Sequence, residues 1–294
     1  MNYKDCILCN KKCHINREKI KGPCGASNKI MIARAALHFW EEPIISGESG
    51  SGTVFFSNCN LKCIFCQNRE ISSNGLGKEI TVDRLSDIFI ELQKKNANNI
   101  NLVTPTHYLP SIVEGIKKAK EKGLNIPIVY NTSSYENIDI LKELTGLVDI
   151  YLADLKYYDD KLGKRYSKVD NYFEVASSNI LEMYKQLGDP IIENNLMKKG
   201  VIVRVLVLPG EVEDAKKIIE YLYNKYKNKI YISIMNQYTP VIKTKYDNLN
   251  RALTEEEYNE VINYALDIGV EKAFIQEGET IDKSFIPDFN FEGV

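Results

Sequence analysis

The stretch Gly52-Thr53-Val54-Phe55-Phe56 is followed closely by Cys59, Cys63 and Cys66, which form a Cys-x3-Cys-x2-Cys loop. The short apolar run, rich in β-branched and aromatic residues, predicts a buried strand. Cysteine thiolates hold iron–sulfur clusters, and a four-iron cluster with three such ligands keeps one iron open to a small molecule. We therefore expect chemistry at the end of this strand. A zinc site and ordinary buried thiols are the alternatives.

Apolar β-rich runs alternate with helical patterns along the chain, which is typical of βα units and a parallel sheet. Predicted strands cover residues 53–57, 100–104, 128–132, 150–155, 201–208, 230–235 and 272–276. Predicted helices cover residues 81–95, 109–122, 138–144, 172–187, 212–226 and 254–268, and Thr254 with Glu257 forms a capping box at the last. We predict an α/β fold with a partial (β/α)6-type TIM barrel over residues 51–294, preceded by a cysteine-rich metal-binding extension and lead-in helix over residues 1–50.

Polar residues stand at the ends of the predicted strands, where the loops of such a barrel converge on one mouth. In chain order these candidates are Thr104, Thr106, His107, Asn131, Thr132, Asp154, Lys156, Arg204 and Tyr238. An imidazole at the mouth can shuttle a proton near neutral pH, so His107 is a candidate for contact with a cofactor or substrate. A role in stabilising its loop is the alternative.

The cysteine loop, with the aromatic Phe65 just before its last cysteine, resembles the radical S-adenosylmethionine (SAM) superfamily. The resemblance implies a 4Fe-4S cluster on Cys59, Cys63 and Cys66, with Phe65 beside the cofactors. In that family the open iron chelates SAM and cleaves it reductively to a 5′-deoxyadenosyl radical, which takes a hydrogen atom from substrate. It also implies an electron donor of the flavodoxin or ferredoxin type.

Two further motifs resemble the pyruvate formate-lyase activating enzyme and its relatives, which install glycyl radicals. Arg204 begins an Arg-x4-Pro-Gly strand, and the resemblance implies that this arginine helps to hold SAM. Asp154-Leu155-Lys156 matches an Asp-Leu-Lys motif, which implies an aspartate in a monovalent-cation site and a lysine lining the SAM and substrate pocket.

The chain departs from the activase pattern at three places. Asn131-Thr132 stands where activases carry Asp-Thr, which removes one carboxylate from the cation site. The Gly-Gly-Glu segment that receives the SAM amino group is replaced by residues 103–107, where Thr104 and Thr106 offer hydroxyl acceptors instead. The histidine after the sixth strand is absent, and Tyr238 is the candidate for its place.

The remaining four cysteines, Cys6, Cys9, Cys13 and Cys24, have the spacing Cys-x2-Cys-x3-Cys-x10-Cys. Four such ligands suit a structural zinc ion or an auxiliary iron–sulfur cluster, and the spacing does not decide between them. Together with the segment His38-Phe39-Trp40-Glu41-Glu42-Pro43, this leader is similar to an activase-like branch often labelled PflX-like. The segment that carries Glu41 and Glu42 is either a lid over the site or a packing element.

The leading functional hypothesis is therefore a radical SAM enzyme that activates a glycyl-radical enzyme. Direct modification of a small metabolite or peptide is the enzymatic alternative, and an iron–sulfur electron carrier or metal-binding adaptor is the non-enzymatic one. A net charge of −2 makes no case for nucleic-acid or membrane binding. Clustered cysteines, no signal-peptide pattern and no apolar stretch near the ~20 residues that span a bilayer predict a cytoplasmic protein.

Overall fold

A mixed sheet of ten strands carries the fold in the computed structural model, which describes residues 1–276 and 287–294. In chain order the described strands are β1 (Ile30–His38), β2 (Ser51–Phe56), β3 (Lys78–Ile80), β4 (Ile100–Val103), β5 (Ile128–Thr132), β6 (Ile150–Asp154), β7 (Ile191–Glu193), β8 (Leu196–Leu206), β9 (Tyr231–Met235) and β10 (Ala273–Ile275). Their order across the sheet is β10-β9-β8-β6-β5-β4-β2-β1-β3, and β7 pairs with β8. The strands from β2 to β10 along this path are parallel, which confirms the predicted α/β partial barrel.

Helices connect successive parallel strands. The described helices are α1 (Pro43–Ser46), α2 (Arg69–Ser72), α3 (Val82–Lys94), α4 (Leu109–Glu121), α5 (Ile138–Lys142), α6 (Asp160–Leu162), α7 (Tyr172–Leu187), α8 (Val212–Tyr226) and α9 (Glu255–Asp267). The predicted capping box is present at α9, where Thr254 and Glu257 satisfy each other's backbone amides. Among the described helices, none is long and apolar enough to span a membrane.

The central strands are buried on both faces, because the sheet lies beneath covering helices and loops. All residues of β2, β4 and β5 are buried. This explains why these strands read as continuous apolar runs and not as alternating patterns. It also explains why sequence periodicity located them well, whereas the short edge strands β3 and β7 gave too few residues to recognise.

Within residues 1–50, where the sequence predicts a lead-in helix, most of the regular structure is a strand. The structure places strand β1 there, antiparallel to both β2 and β3, followed only by the four-residue helix α1. The alanines of β1 favour a helix locally, but pairing on both sides and burial against the core outweigh that preference. The sheet thus begins before residue 51, and the segment outside it is residues 1–29.

Residues 1–29 form a loop-rich leader that packs against the loops after β4 and β5. A single bridge joins Cys9 to Glu136, and the amide of Asn137 donates to the carbonyl of Leu8 at 3.2 Å. These loops lie at the carboxyl ends of the parallel strands. The leader is therefore attached to the same end of the barrel as the cysteine loop that follows β2.

Candidate active site

A cleft of about 720 Å³ opens at the carboxyl ends of the parallel strands. Most of the predicted site residues line it, and these are Cys59, Cys63, Cys66, Thr104, Asn131, Thr132, Asp154, Lys156 and Arg204. They come from loops and strand ends that are far apart in sequence. The parallel topology brings them together because each of these strands ends at the same edge of the sheet.

The three loop cysteines lie in the cleft wall with hydroxyl groups beside two of their sulfurs. Cys63 Sγ is 2.9 Å from Ser167 Oγ, and Cys66 Sγ is 3.2 Å from Ser72 Oγ. Burial, together with the neighbouring thiols, raises the pKa of Cys59 to about 12. The Cys59 thiol is therefore protonated until a metal displaces its proton. The two serines are functional neighbours that the spacing of the cysteines did not reveal, because α2 and the turn before Lys168 bring them in.

Asp154 and Lys156 form an ion pair in the cleft, with 2.5 Å between Oδ2 and Nζ. Burial alone would lower the pKa of Lys156, but the charge of Asp154 and the nearby thiols outweigh it and raise this pKa. The lysine therefore keeps its positive charge. Burial raises the pKa of Cys63, and the Lys156 charge offsets part of that rise.

Arg204 is held by two glutamates from the segment between β1 and α1. Its Nε and Nη2 atoms each donate to Glu42 at 2.7 Å, and Nη2 also contacts Glu41. Burial raises the pKa of Glu42, but the Arg204 charge outweighs this and holds the pKa below its usual value. We call Arg204, Glu41 and Glu42 the carboxylate clamp. Sequence reasoning left the two glutamates without a partner, because nothing local shows that β8 lies opposite them.

Four of the predicted cofactor-binding side chains lie outside the cleft lining. Thr106 Oγ1 donates to Glu136 at 2.7 Å, and Tyr238 donates to the carbonyl of Leu249 at 2.7 Å. Phe65 is buried and packs against Tyr238, with ring centroids 6.1 Å apart. A short helical turn after β4 carries Thr106 and His107 beneath the cleft wall. The structure therefore places Thr106, His107 and Tyr238 behind the cleft lining and not at the predicted mouth.

His107 is buried, and its surroundings determine its charge. Its Nε2 is 2.8 Å from the carbonyl oxygen of Ser57, and its own carbonyl accepts from Arg17 at 2.6 Å. Burial lowers the pKa of His107 to about 3, and the nearby positive charges act in the same direction. The imidazole is neutral at physiological pH and cannot serve as the proton shuttle that the sequence suggested.

Thr104 does reach the cleft, in an unusual backbone conformation. Its φ is +58°, a left-handed value that is a genuine outlier for a β-branched residue. Its amide donates to the carbonyl of Asn131 at 2.9 Å, which ties the ends of β4 and β5 together. Strain of this kind is common at functional sites. No pattern in the sequence predicts this backbone conformation.

The leader cysteines line a second, much smaller cavity of about 20 Å³. All four of them, Cys6, Cys9, Cys13 and Cys24, contribute to its wall together with Arg17, Asn60 and His107. In the part of the chain that the structure describes, no three His, Cys, Asp or Glu side chains already stand as a ligand set for one metal ion. A second metal centre at this place stays a prediction.

Comparison with known proteins gives a family and a fold. The model of the radical SAM superfamily matches residues 53–222, more than half of the chain. The uncharacterized protein MJ0674 of Methanocaldococcus jannaschii is 32% identical over 274 residues, which cover 90% of this chain and 75% of that protein. The chain belongs to the radical SAM superfamily. This membership implies a 4Fe-4S cluster and SAM.

Similarity to characterised proteins is weaker. Pyruvate formate-lyase 1-activating enzyme of Escherichia coli is 22% identical over 166 residues, covering 55% of this chain and 62% of that enzyme. SuiB of Streptococcus suis, solved bound to S-adenosylmethionine, aligns with a TM-score of 0.54 and 13% identity over 78% of this chain and 50% of SuiB. The chain thus spans less than two thirds of either protein. The likeness to SuiB supports the fold alone.

Proposed function

We propose that the cleft is the active site of a radical SAM enzyme in which Cys59, Cys63 and Cys66 hold the 4Fe-4S cluster. The observation that carries this proposal is the meeting of all three cysteines with Asp154 and Lys156 in one open cleft. The residues fit the group, because three thiols on one loop leave a position open toward the cleft. When bound, the cluster and SAM supply a radical that removes a hydrogen atom from substrate.

The protein's own side chains bind, orient and shield. Lys156 keeps a positive charge beside Cys63, which suits the anionic thiolates of a loaded site. Ser167 and Ser72 offer hydroxyl donors to the sulfurs of Cys63 and Cys66, and such bonds tune the reduction potential of a cluster. Thr104 and Asn131 offer polar groups at the carboxyl ends of β4 and β5, where we place SAM.

The carboxylate clamp changes the role that the resemblance implies for Arg204. Both of its carboxylate partners come from the protein, so a SAM carboxylate would have to share or displace them. We place the SAM carboxylate near Lys156, whose charge is offset by only one aspartate. The clamp then serves to fix the segment between β1 and α1 over the cleft.

Activation of a glycyl-radical enzyme is the leading specific activity. The Asp154-Leu155-Lys156 and Arg204 motifs support it, as does the similarity to the E. coli activating enzyme. The test is an anaerobic reaction with reduced flavodoxin or ferredoxin, SAM and candidate glycyl-radical enzymes. We expect deoxyadenosine and a glycyl doublet in the EPR spectrum, and neither with the Cys59→Ala, Cys63→Ala, Cys66→Ala variant. Deoxyadenosine without the doublet would count against activation of the partners tested.

Modification of a small metabolite or peptide is the second candidate, and the carboxylate clamp favours it. Phe39 and Trp40 of the clamped segment, together with His38 at the end of β1, line the cleft on one side. A cleft walled by this segment suits a small substrate better than the surface of a large enzyme. Deuterium transfer from a labelled small substrate into deoxyadenosine would support this candidate.

We place the reaction in the cytoplasm, where the thiols stay reduced.

A further inference from the structure

We propose that the small leader cavity binds one zinc ion, which takes four ligands from Cys6, Cys9, Cys13, Cys24 and His107. This site is separate from the cleft and goes beyond the radical chemistry proposed above. Four of these donors come from one short segment, whereas His107 comes from the turn after β4. Zinc prefers this combination of thiolate and imidazole ligands in closed structural sites.

His107 is the donor that the leader spacing did not indicate. Its Nε2 faces the carbonyl oxygen of Ser57, which can only accept, so the ring proton lies on Nε2. The other nitrogen, Nδ1, therefore carries a lone pair, and it is buried without a hydrogen-bond partner among the described residues. Histidines that ligate metals usually donate their second ring N–H to a carbonyl or carboxylate in this way.

Arg17 provides the second sign that an anionic group belongs in the cavity. It is fully buried, and its guanidinium donates to the carbonyls of Ala26, Ser27 and His107. Its Nη1 also lies 3.7 Å from Cys6 Sγ. Within residues 1–276 and 287–294 it forms no ion pair with a carboxylate.

A buried charge without an opposite charge is costly. Zinc with three or four thiolates has a net negative charge, and Arg17 would balance it. The guanidinium would also donate to a ligand sulfur, as groups around a metal site commonly do. A zinc–thiolate group in the cavity would thus explain why Arg17 is buried without a carboxylate partner.

The size of the cavity favours an ion over a cluster. A volume of about 20 Å³ suits one small particle, since a water molecule needs roughly 10–15 Å³ on this measure. Four irons with four sulfides would not fit without opening the leader. Cys9 and Cys13 are partly exposed and can turn inward to complete the ligand set.

Zinc at this place would secure the loop that carries the catalytic cysteines. Lys62, within that loop, donates to the carbonyl of Cys24 at 3.2 Å. Asn60 lines the leader cavity, and its neighbour Cys59 lines the cleft. The ion would therefore fix the leader against one side of the cysteine loop.

Metal analysis of the full-length protein tests the proposal. Wild type, the Cys59→Ala, Cys63→Ala, Cys66→Ala variant and a Cys9→Ser, Cys13→Ser variant are purified anaerobically from medium containing iron and zinc. We expect about one zinc per chain in the first two and none in the third, which keeps only three of the five donors. About four irons in the cluster-loop variant, or neither metal in it, would overturn the proposal.

Two measurements that do not depend on the folding of the leader variant complete the test. Co²⁺ loaded into the cluster-loop variant should give thiolate-to-cobalt charge-transfer absorption, and its absence would contradict a thiolate site. Arg17→Gln should release zinc to a colorimetric chelator about 10-fold faster than wild type, whereas Arg17→Lys, which keeps the charge, should stay closer to wild type. Equal release rates in all three proteins would contradict the charge balance.

Discussion

The cleft and the leader cavity are both lined by cysteines and each lies beside an arginine, fully buried in the leader and largely buried in the cleft, but they differ in openness and in charge balance. In the cleft, Arg204 is neutralised by Glu41 and Glu42, and the thiols face about 720 Å³ of open space. In the leader, Arg17 donates to carbonyls, lies near a thiol and packs over the rings of Tyr3 and Tyr108, with no carboxylate partner among the described residues, and the cavity is about 20 Å³. In our proposals, the same ligand type thus serves a reactive site where a position stays open and a structural site where it closes.

Substitution of the cysteines should show the largest difference between the roles of the two cavities. Cys63→Ala should lose the iron and the formation of deoxyadenosine while the free energy of unfolding changes little. The Cys9→Ser, Cys13→Ser variant should instead lose stability, since a structural zinc contributes on the order of 10 kcal/mol to folding. Iron content, deoxyadenosine yield and chemical denaturation measure the three effects. Similar stability losses in both variants would break the distinction.

Loss of the charge in the carboxylate clamp should have the next largest effect. Arg204→Gln leaves Glu41 and Glu42 buried without their counter-charge, and removal of one partner of such a pair costs about 3–5 kcal/mol. The comparison is Lys118→Gln, which removes a partly exposed partner of Asp83 and Glu114 and should cost no more than about 1 kcal/mol. Urea denaturation of both variants checks the difference. A similar small change in both would show that the clamp is solvated.

The pH dependence of stability should reveal the neutral histidine beside the leader. Because burial lowers the pKa of His107 from 6.5 to about 3, the unfolded chain binds a proton that the folded one does not. This contribution is complete above pH 6.5 and is lost progressively as the pH falls toward 3. The loss relative to neutral pH amounts to about 2 kcal/mol at pH 5.

His107→Gln should remove that part of the pH dependence, whereas substitution of the exposed His14 should keep the wild-type profile. Urea denaturation between pH 5 and 7, in the presence of a chelator so that no leader metal contributes, gives the comparison. Parallel profiles for wild type and His107→Gln would show that the imidazole already titrates normally in the folded protein.

The sequence predicted the parts of both cavities that depend on local pattern. Periodicity located α7 and α8 to the residue, and the cysteine spacing marked the loop after β2. Prediction from sequence failed where contacts between distant segments determine the structure. Pairing on both sides made β1 a strand, a helical turn after β4 turned His107 away from the cleft, and the partners of Arg204 lie more than 160 residues away along the chain.

The smallest expected effect concerns Thr104, whose strained backbone belongs to the cleft. Thr104→Gly relieves the strain of the left-handed backbone, but it also increases the conformational entropy of the unfolded chain. Because these effects oppose each other, the free energy of unfolding should change by no more than about 1 kcal/mol. Thr104→Ala also removes the hydroxyl while keeping a Cβ in the strained conformation. If the hydroxyl contacts SAM, both variants should bind SAM more weakly to a similar degree in equilibrium titration. If only the glycine variant binds more weakly, the fixed backbone at the end of β4 matters and the hydroxyl does not.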